Sequence, residues 1–184
     1  ISGYMKTINY GSHFIDKLDL ISVQKSLKSK NISNGKYVGM FEKKIKSIIK
    51  SKYVLSCNSG TSALYLSFLS LNVNANDIVI VPSINFIAAN NILKYLKAKV
   101  YLADVNEFTG QTTPELIEEC IKRNKLKKIK AILIMFNGGY PRNINGFYNL
   151  KKKYKTYLIE DACHAFGSKY KFNDKYFSLG SFKH

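Results

Sequence analysis

The sequence predicts an α/β fold, a mostly parallel sheet flanked by helices, and two observations carry that prediction. From Tyr53 onward short apolar runs alternate with longer amphipathic stretches, the signature of successive βαβ units. The chain has 184 residues, 46% of them hydrophobic and 13% aromatic, which suits one substantial core and not a disordered polymer.

Ahead of that alternation, residues 16–29 and 37–50 carry apolar positions at helical spacing. These are Leu18, Ile21 and Leu27 in the first stretch, and Val38, Phe41, Ile45, Ile48 and Ile49 in the second. Asn34-Gly35 punctuates between them. Residues 1–52 are therefore expected to form an N-terminal helical segment and residues 53–184 a larger α/β domain. In order, the expected elements of that domain are a strand at Val54–Cys57, a helix over 61–71 and a strand at Ile78–Val81. A helix over 87–96, a strand at Val100–Ala103 and a helix over 114–123 follow. Then come a strand at Ala131–Met135, a helix over 145–153 and a strand at Tyr157–Ile159. Ligands of such sheets collect beyond the carboxyl ends of the strands, so the residues after each apolar run are where chemistry is sought.

A formal charge of +17 invites a nucleic-acid reading. Of the 29 basic residues, however, only Arg123 and Arg142 are arginines. Phosphate and base recognition recruits arginine for its planar fork of donors, whereas scattered lysines make a solvated surface. Lysine here travels with abundant Asn and Ile, as codon bias produces. Nucleic acid is set aside as a partner, while the charge suits an anionic substrate. No apolar run reaches the roughly 18 residues a membrane-spanning helix needs. Ile1–Lys6 lacks a signal peptide's apolar stretch, and Cys57, Cys120 and Cys163 are an odd number without metal-ligand spacing. A cytoplasmic protein with no metal and no membrane is expected. The start at Ile1, with Met5 just behind, suggests upstream translation or a fragment with Met5 as a candidate start.

Three places after apolar runs carry candidate chemistry. At Cys57-Asn58-Ser59-Gly60-Thr61-Ser62, a strand gives way to a small-residue turn and a helix. Exposed N–H groups and the positive helix end make an anion site there, with Ser59 and Thr61 adding donors; on this segment alone a simple helix cap is the favoured reading. Phe86 follows the next strand, where its ring can lie flat on a planar cofactor or serve as a core aromatic. In Glu160-Asp161-Ala162-Cys163-His164, two carboxylates follow a buried-looking strand. A carboxylate so placed can hold a protonated ring nitrogen, and the alternative is a cap at Asp161 with a structural histidine.

The order of these segments resembles the DegT/DnrJ/StrS family of sugar aminotransferases, from about Ile8 to His184. Ile78–Ser83, Ala103-Asp104-Val105 and Gly138-Gly139-Tyr140-Pro141 take part in the resemblance. Leu179-Gly180-Ser181-Phe182-Lys183-His184 resembles the segment just upstream of the family's Ser-Phe-His-Pro-x-Lys motif. The resemblance implies the large domain of a fold-type I pyridoxal-phosphate (PLP) transferase. It implies that Gly60 and Thr61, with Ser59 nearby, hold the cofactor phosphate and that Phe86 stacks on the pyridine ring. Asp161 would pair with the ring nitrogen, and His164 would lie beside the ring hydroxyl. The Asp-Ala-Cys-His form resembles transaminases of 4-keto-6-deoxy nucleotide sugars. The implied partners are a nucleotide-sugar substrate, glutamate as amino donor and a second subunit in a homodimer, serving cell-surface polysaccharide or amino-sugar synthesis.

The lysine that anchors the cofactor and carries its proton falls, in this family, several residues past His184. None of the 27 lysines here matches it, and the family's small C-terminal domain is absent from these 184 residues. The chain alone is expected to be inactive and to bind the cofactor only weakly. Two alternatives stand beside the transaminase: a pyridoxamine-dependent sugar 3-dehydratase of the same family, with histidine in place of that lysine, and a non-catalytic binding protein on the same scaffold. Tyr140 and Arg142 follow a strand and can face the site or the solvent; Asn34-Gly35 is given no contact.

Overall fold

The computed structural model describes residues 11–172 and 174–181. Ile1–Met5, the beginning of the resemblance at Ile8, and Phe182-Lys183-His184 lie outside the described residues. The chain divides into two compact units, with the boundary between Phe41 and Glu42.

In the first unit, helix α1 (Lys17–Leu27) begins at a capping box. Asp16 Oδ1 accepts the N–H groups of Leu18 (2.7 Å) and Asp19 (3.0 Å), and Asp19 Oδ2 accepts that of Asp16 (3.0 Å). Helix α2 (Lys36–Ile49) follows and runs across the unit boundary.

The second unit contains helix α3 (Gly60–Ser70), strand β1 (Ile78–Pro82), helix α4 (Ala88–Tyr95), strand β2 (Lys99–Ala103) and helix α5 (Pro114–Arg123). It continues with strand β3 (Ala131–Met135), a 3₁₀ turn (Asn137–Gly139), helix α6 (Ile144–Tyr154) and strand β4 (Tyr157–Asp161). Strands β5 (Lys169–Phe172) and β6 (Lys175–Ser178) close the described chain. The first four strands form a parallel sheet in the order β2-β1-β3-β4, as the sequence predicts. Its central strands β1 and β3 are buried on both faces, and their side chains alternate between two clusters with the period of a strand. Ile80, Ile132 and Ile134 point with Ile117 of α5 and Phe147 of α6 to one side. Val79, Val81, Ala131 and Leu133 point with Phe68 of α3 and Leu93 of α4 to the other. The helices are set by local chemistry: Thr113 Oγ1 caps α5 on the N–H of Leu116 (3.3 Å), and Pro114, which has no N–H to satisfy, opens it.

The expected strand at Val54–Cys57 does not form. Among the described residues no strand pairs with this segment, and a strand is held only by a ladder partner. The N–H and hydroxyl of Ser56 both donate instead to Glu42 Oε1, at 2.8 and 2.9 Å, and Leu55 is 84% exposed. The antiparallel hairpin β5–β6, which periodicity did not suggest, is pinned by Tyr170 stacked on Phe177 with ring centroids 5.9 Å apart.

Candidate functional site

The strand order makes the site's position a matter of topology. From β1 the chain crosses to β2 on one side, then returns to β3 and β4 on the other, so β1 and β3 flank a switch point. The carboxyl ends are level: Pro82 of β1 lies opposite Ala103 of β2, and Met135 of β3 opposite Asp161 of β4. Every predicted site residue lies at that edge or on the helix start that meets it.

Ser59 is the N-cap of α3, its Oγ accepting the N–H of Ser62 at 3.1 Å, so the capping role weighed from sequence is real. Helical geometry leaves the N–H groups of Gly60 and Thr61 without an intrahelical acceptor, at the positive end of the helix, and both residues are exposed. A Cβ built on Gly60 would sit 3.5 Å from Cys163 Sγ, which places the first turn of α3 beside the segment leaving β4. Phe86 follows β1 and is exposed. Asp161 ends β4 and is buried; its Oδ1 accepts the N–H of Cys163 at 3.1 Å, which fixes the rotation of the carboxylate. No helix begins there, so Asp161 is not a helix cap. His164 is exposed, and its Nδ1 accepts the N–H of Gly138 at 3.4 Å.

The neighbouring ionisable groups report a partly dry environment. Desolvation of its sulfur, followed by the Asp161 carboxylate beside it, pushes the Cys163 thiol up to about 11. Burial raises Glu160 above the usual carboxylate range, against the pull of the Tyr148 hydroxyl (3.1 Å) and the Gly180 N–H. A groove of about 490 Å³ lies elsewhere, between the start of α6 and the hairpin. Tyr140 lines it, with the Arg142 guanidinium 4.9 Å over its ring, and none of the predicted site residues does.

Sequence reasoning missed the residues that brace this edge. Gln111 Nε2 donates to the carbonyls of Asn137 (2.6 Å) and Tyr140 (3.0 Å), and Ser168 Oγ donates to that of Gly139 (2.7 Å). The available signal was positional, since Gln111 lies in the loop beyond the carboxyl end of β2.

A doubly wound sheet with an open helix start and a buried carboxylate at its carboxyl edge has the layout of an α/β ligand-binding domain. The donor set fits PLP: N–H groups and a helix dipole for the phosphate, a ring at Phe86, and a carboxylate for a ring nitrogen. The chain belongs to the DegT/DnrJ/EryC1/StrS aminotransferase family, whose model matches residues 14–182. It is 35% identical over 139 residues to GDP-perosamine synthase of Escherichia coli O157:H7, covering 76% of this chain and 37% of that one. It is 34% identical over 164 residues to UDP-4-amino-4,6-dideoxy-N-acetyl-β-L-altrosamine transaminase of Campylobacter jejuni, covering 89% and 43%. Among solved structures, an aminotransferase from Psychrobacter cryohalolentis superposes with a TM-score of 0.76 at 30% identity, covering 83% of this chain and 38% of that one. The PMP form of a sugar aminotransferase from Streptococcus pneumoniae gives 0.80 at 23% identity, covering 90% and 45%. The chain thus spans about two fifths of the length of the curated relatives it matches. Among the described residues no helix is long and apolar enough to cross a membrane.

Proposed function

We propose that these residues are the cofactor-binding part of a PLP-dependent aminotransferase that transfers an amino group from glutamate to a nucleotide-linked keto-deoxysugar. The observation that carries this reading is the approach of Gly60 to Cys163, which sets an anion-binding helix start beside the buried Asp161. When bound, PLP supplies a ring that withdraws electrons from the carbon that loses its proton. The N–H groups of Gly60 and Thr61 would hold the phosphate, with the Ser59 cap keeping that first turn wound. Phe86 would lie against the ring. Asp161, oriented by the Cys163 N–H, would accept the N–H of the protonated ring nitrogen, and His164 would stand beside the ring hydroxyl. Residues 53–184 are read as part of the large domain and residues 1–52 as the segment preceding it. The enzyme works in the cytoplasm as a homodimer, and its product feeds polysaccharide or amino-sugar synthesis.

The test uses the full-length gene product with PLP, glutamate and a nucleotide-linked 4-keto-6-deoxysugar, following the sugar by mass spectrometry. An amino group gained in place of the keto oxygen is expected. Loss of a hydroxyl instead would mark the dehydratase. Replacing a buried charge-assisted hydrogen bond by a neutral one costs about 1.5–3 kcal/mol, so Asp161→Asn is expected to lower turnover roughly 10- to 100-fold. Unchanged turnover would show that Asp161 does not serve the ring nitrogen.

A further inference from the structure

We propose that Gln111 is a positioning residue of this site, acting through the Asn137–Gly139 turn to hold His164 as the tautomer protonated on Nε2. The inference deepens the reading of the site as a PLP site and rests on it for its functional meaning.

Gln111 is buried, 7% exposed, in the loop between β2 and α5. Its amide nitrogen has two protons, and the structure gives one to each side of the turn, the Asn137 carbonyl at 2.6 Å and the Tyr140 carbonyl at 3.0 Å. The turn is held at other points too. Gly139 N–H donates to the Phe136 carbonyl (2.9 Å), and the Phe136 N–H extends the ladder to the Asp161 carbonyl (3.3 Å). Ser168 Oγ donates to the Gly139 carbonyl (2.7 Å). The turn therefore has one orientation, and in it the Gly138 N–H faces His164 Nδ1 at 3.4 Å.

A backbone N–H can only donate. Nδ1 must then present its lone pair, and in the neutral ring the proton goes to Nε2. Nε2–H is then a donor, of the kind that an ionised hydroxyl on the cofactor ring would accept. The hydrogen bond is long, so the direction comes less from its own strength than from the braced turn. A second contact fixes the same residue: a Cβ on Gly139 would fall 2.4 Å from the His164 carbonyl oxygen, so backbone is packed directly on backbone. His164 is exposed, and burial does not hold its ring in place. The turn does, and Gln111 holds the turn.

The test reads two quantities in the uniformly ¹⁵N-labelled chain, the tautomer near pH 8, with the His164 signal identified by its loss in His164→Gln. Long-range ¹H–¹⁵N correlation reports the tautomer, and hydrogen exchange reports the Gly138 amide. We expect His164 to be protonated on Nε2. Exchange at Gly138 should accelerate at least tenfold in His164→Ala and in Gln111→Leu, with Gln111→Leu still melting cooperatively. A proton on Nδ1, or Gly138 exchange unchanged in either variant, overturns the proposal. Should Gln111→Leu fail to fold, Gln111→Glu, which keeps the size and lacks both amide protons, is read in the same two ways and decides. PLP titrated by fluorescence separates this inference from the reading beneath it. In the full-length gene product, weaker binding by several-fold in Gln111→Leu supports both, whereas an intact clamp in a product that binds no PLP supports the clamp and refutes the cofactor reading.

Discussion

Alanine substitutions at Gly138 and Gly139 separate backbone strain from a collision at the site. Both glycines occupy the left-handed region, with φ of +72° and +80°. Any other residue there costs about 1–2 kcal/mol. At Gly138 nothing lies within 4 Å of a new Cβ, so the cost stops at that. For a chain of this size 1 kcal/mol moves the melting midpoint roughly 2–4 °C, so Gly138→Ala should melt about 2–8 °C lower. At Gly139 the new Cβ falls 2.4 Å from the His164 carbonyl oxygen, against the 3.4 Å or more of an ordinary contact. That neighbour is backbone and cannot swing aside as the end of a side chain would. The turn cannot retreat freely either, because Gln111 and Ser168 hold its carbonyls. Relief requires a shift of about 1 Å, and overpacking of this kind costs about 1–3 kcal/mol more. Gly139→Ala should therefore lose up to about 5 kcal/mol in all, and it displaces His164. Denaturant melts give the first quantity and PLP fluorescence titration the second. Equal stabilities of the two variants would refute the collision, and an unchanged PLP affinity in Gly139→Ala would remove His164 from the site.

Two further outcomes follow from the neighbouring ionisable groups. Burial raises Glu160 above its unfolded value, so the native chain binds that proton more tightly than the unfolded chain does. Its contribution is full below the ordinary carboxylate value and is lost as pH rises through the raised value. Relative to the parent, Glu160→Gln should thus gain stability from about pH 4 until the raised value is passed and level off above it; a difference that does not change with pH would show that Glu160 is not desolvated. The groups around it, Tyr148, Tyr170 and Lys151, remain in both proteins, so the difference isolates Glu160. Iodoacetamide at pH 8 should alkylate the exposed Cys57 first and the buried Cys120 last. Cys163 should be slow although it is exposed. With the thiol pushed up to about 11, only about one in a thousand is thiolate at that pH. Peptide mass mapping reads the order, and Cys163 reacting ahead of Cys57 would overturn this account of its surroundings.

What the sequence discloses follows from where each interaction keeps its information. Strands β1 to β4 were legible because each is written as a short apolar run, buried on both faces in the central β1 and β3 and partly exposed at the edge strands β2 and β4. The same rule misread Val54–Cys57, whose composition is that of a strand but which has no ladder partner among the described residues. Pairing is a property of two segments, and one segment cannot record it. The hairpin failed in the opposite sense. Tyr170, Phe172 and Phe177 pack on the core while Lys169, Lys171 and Tyr176 face water, a period of two too short to stand out in a lysine-rich chain. In the site, Gly60 and Asp161 belong to segments far apart in the chain, and only the ordered resemblance to a family joined them. Gln111 was invisible for a deeper reason. It acts on backbone carbonyls, which every residue possesses, so no partner residue type betrays it. Gly138 and Gly139 share that property, because they matter for a φ and a missing Cβ and not for a functional group. Sequence reading thus singles out groups whose own chemistry suits a ligand, such as Asp161 and Phe86, and passes over the groups that brace the loops around them. The bracing residues here lie on the loop after β2, on the turn after β3 and beyond β4. A substitution survey confined to motif residues would therefore miss the most direct way to disturb His164 while leaving its side chain intact.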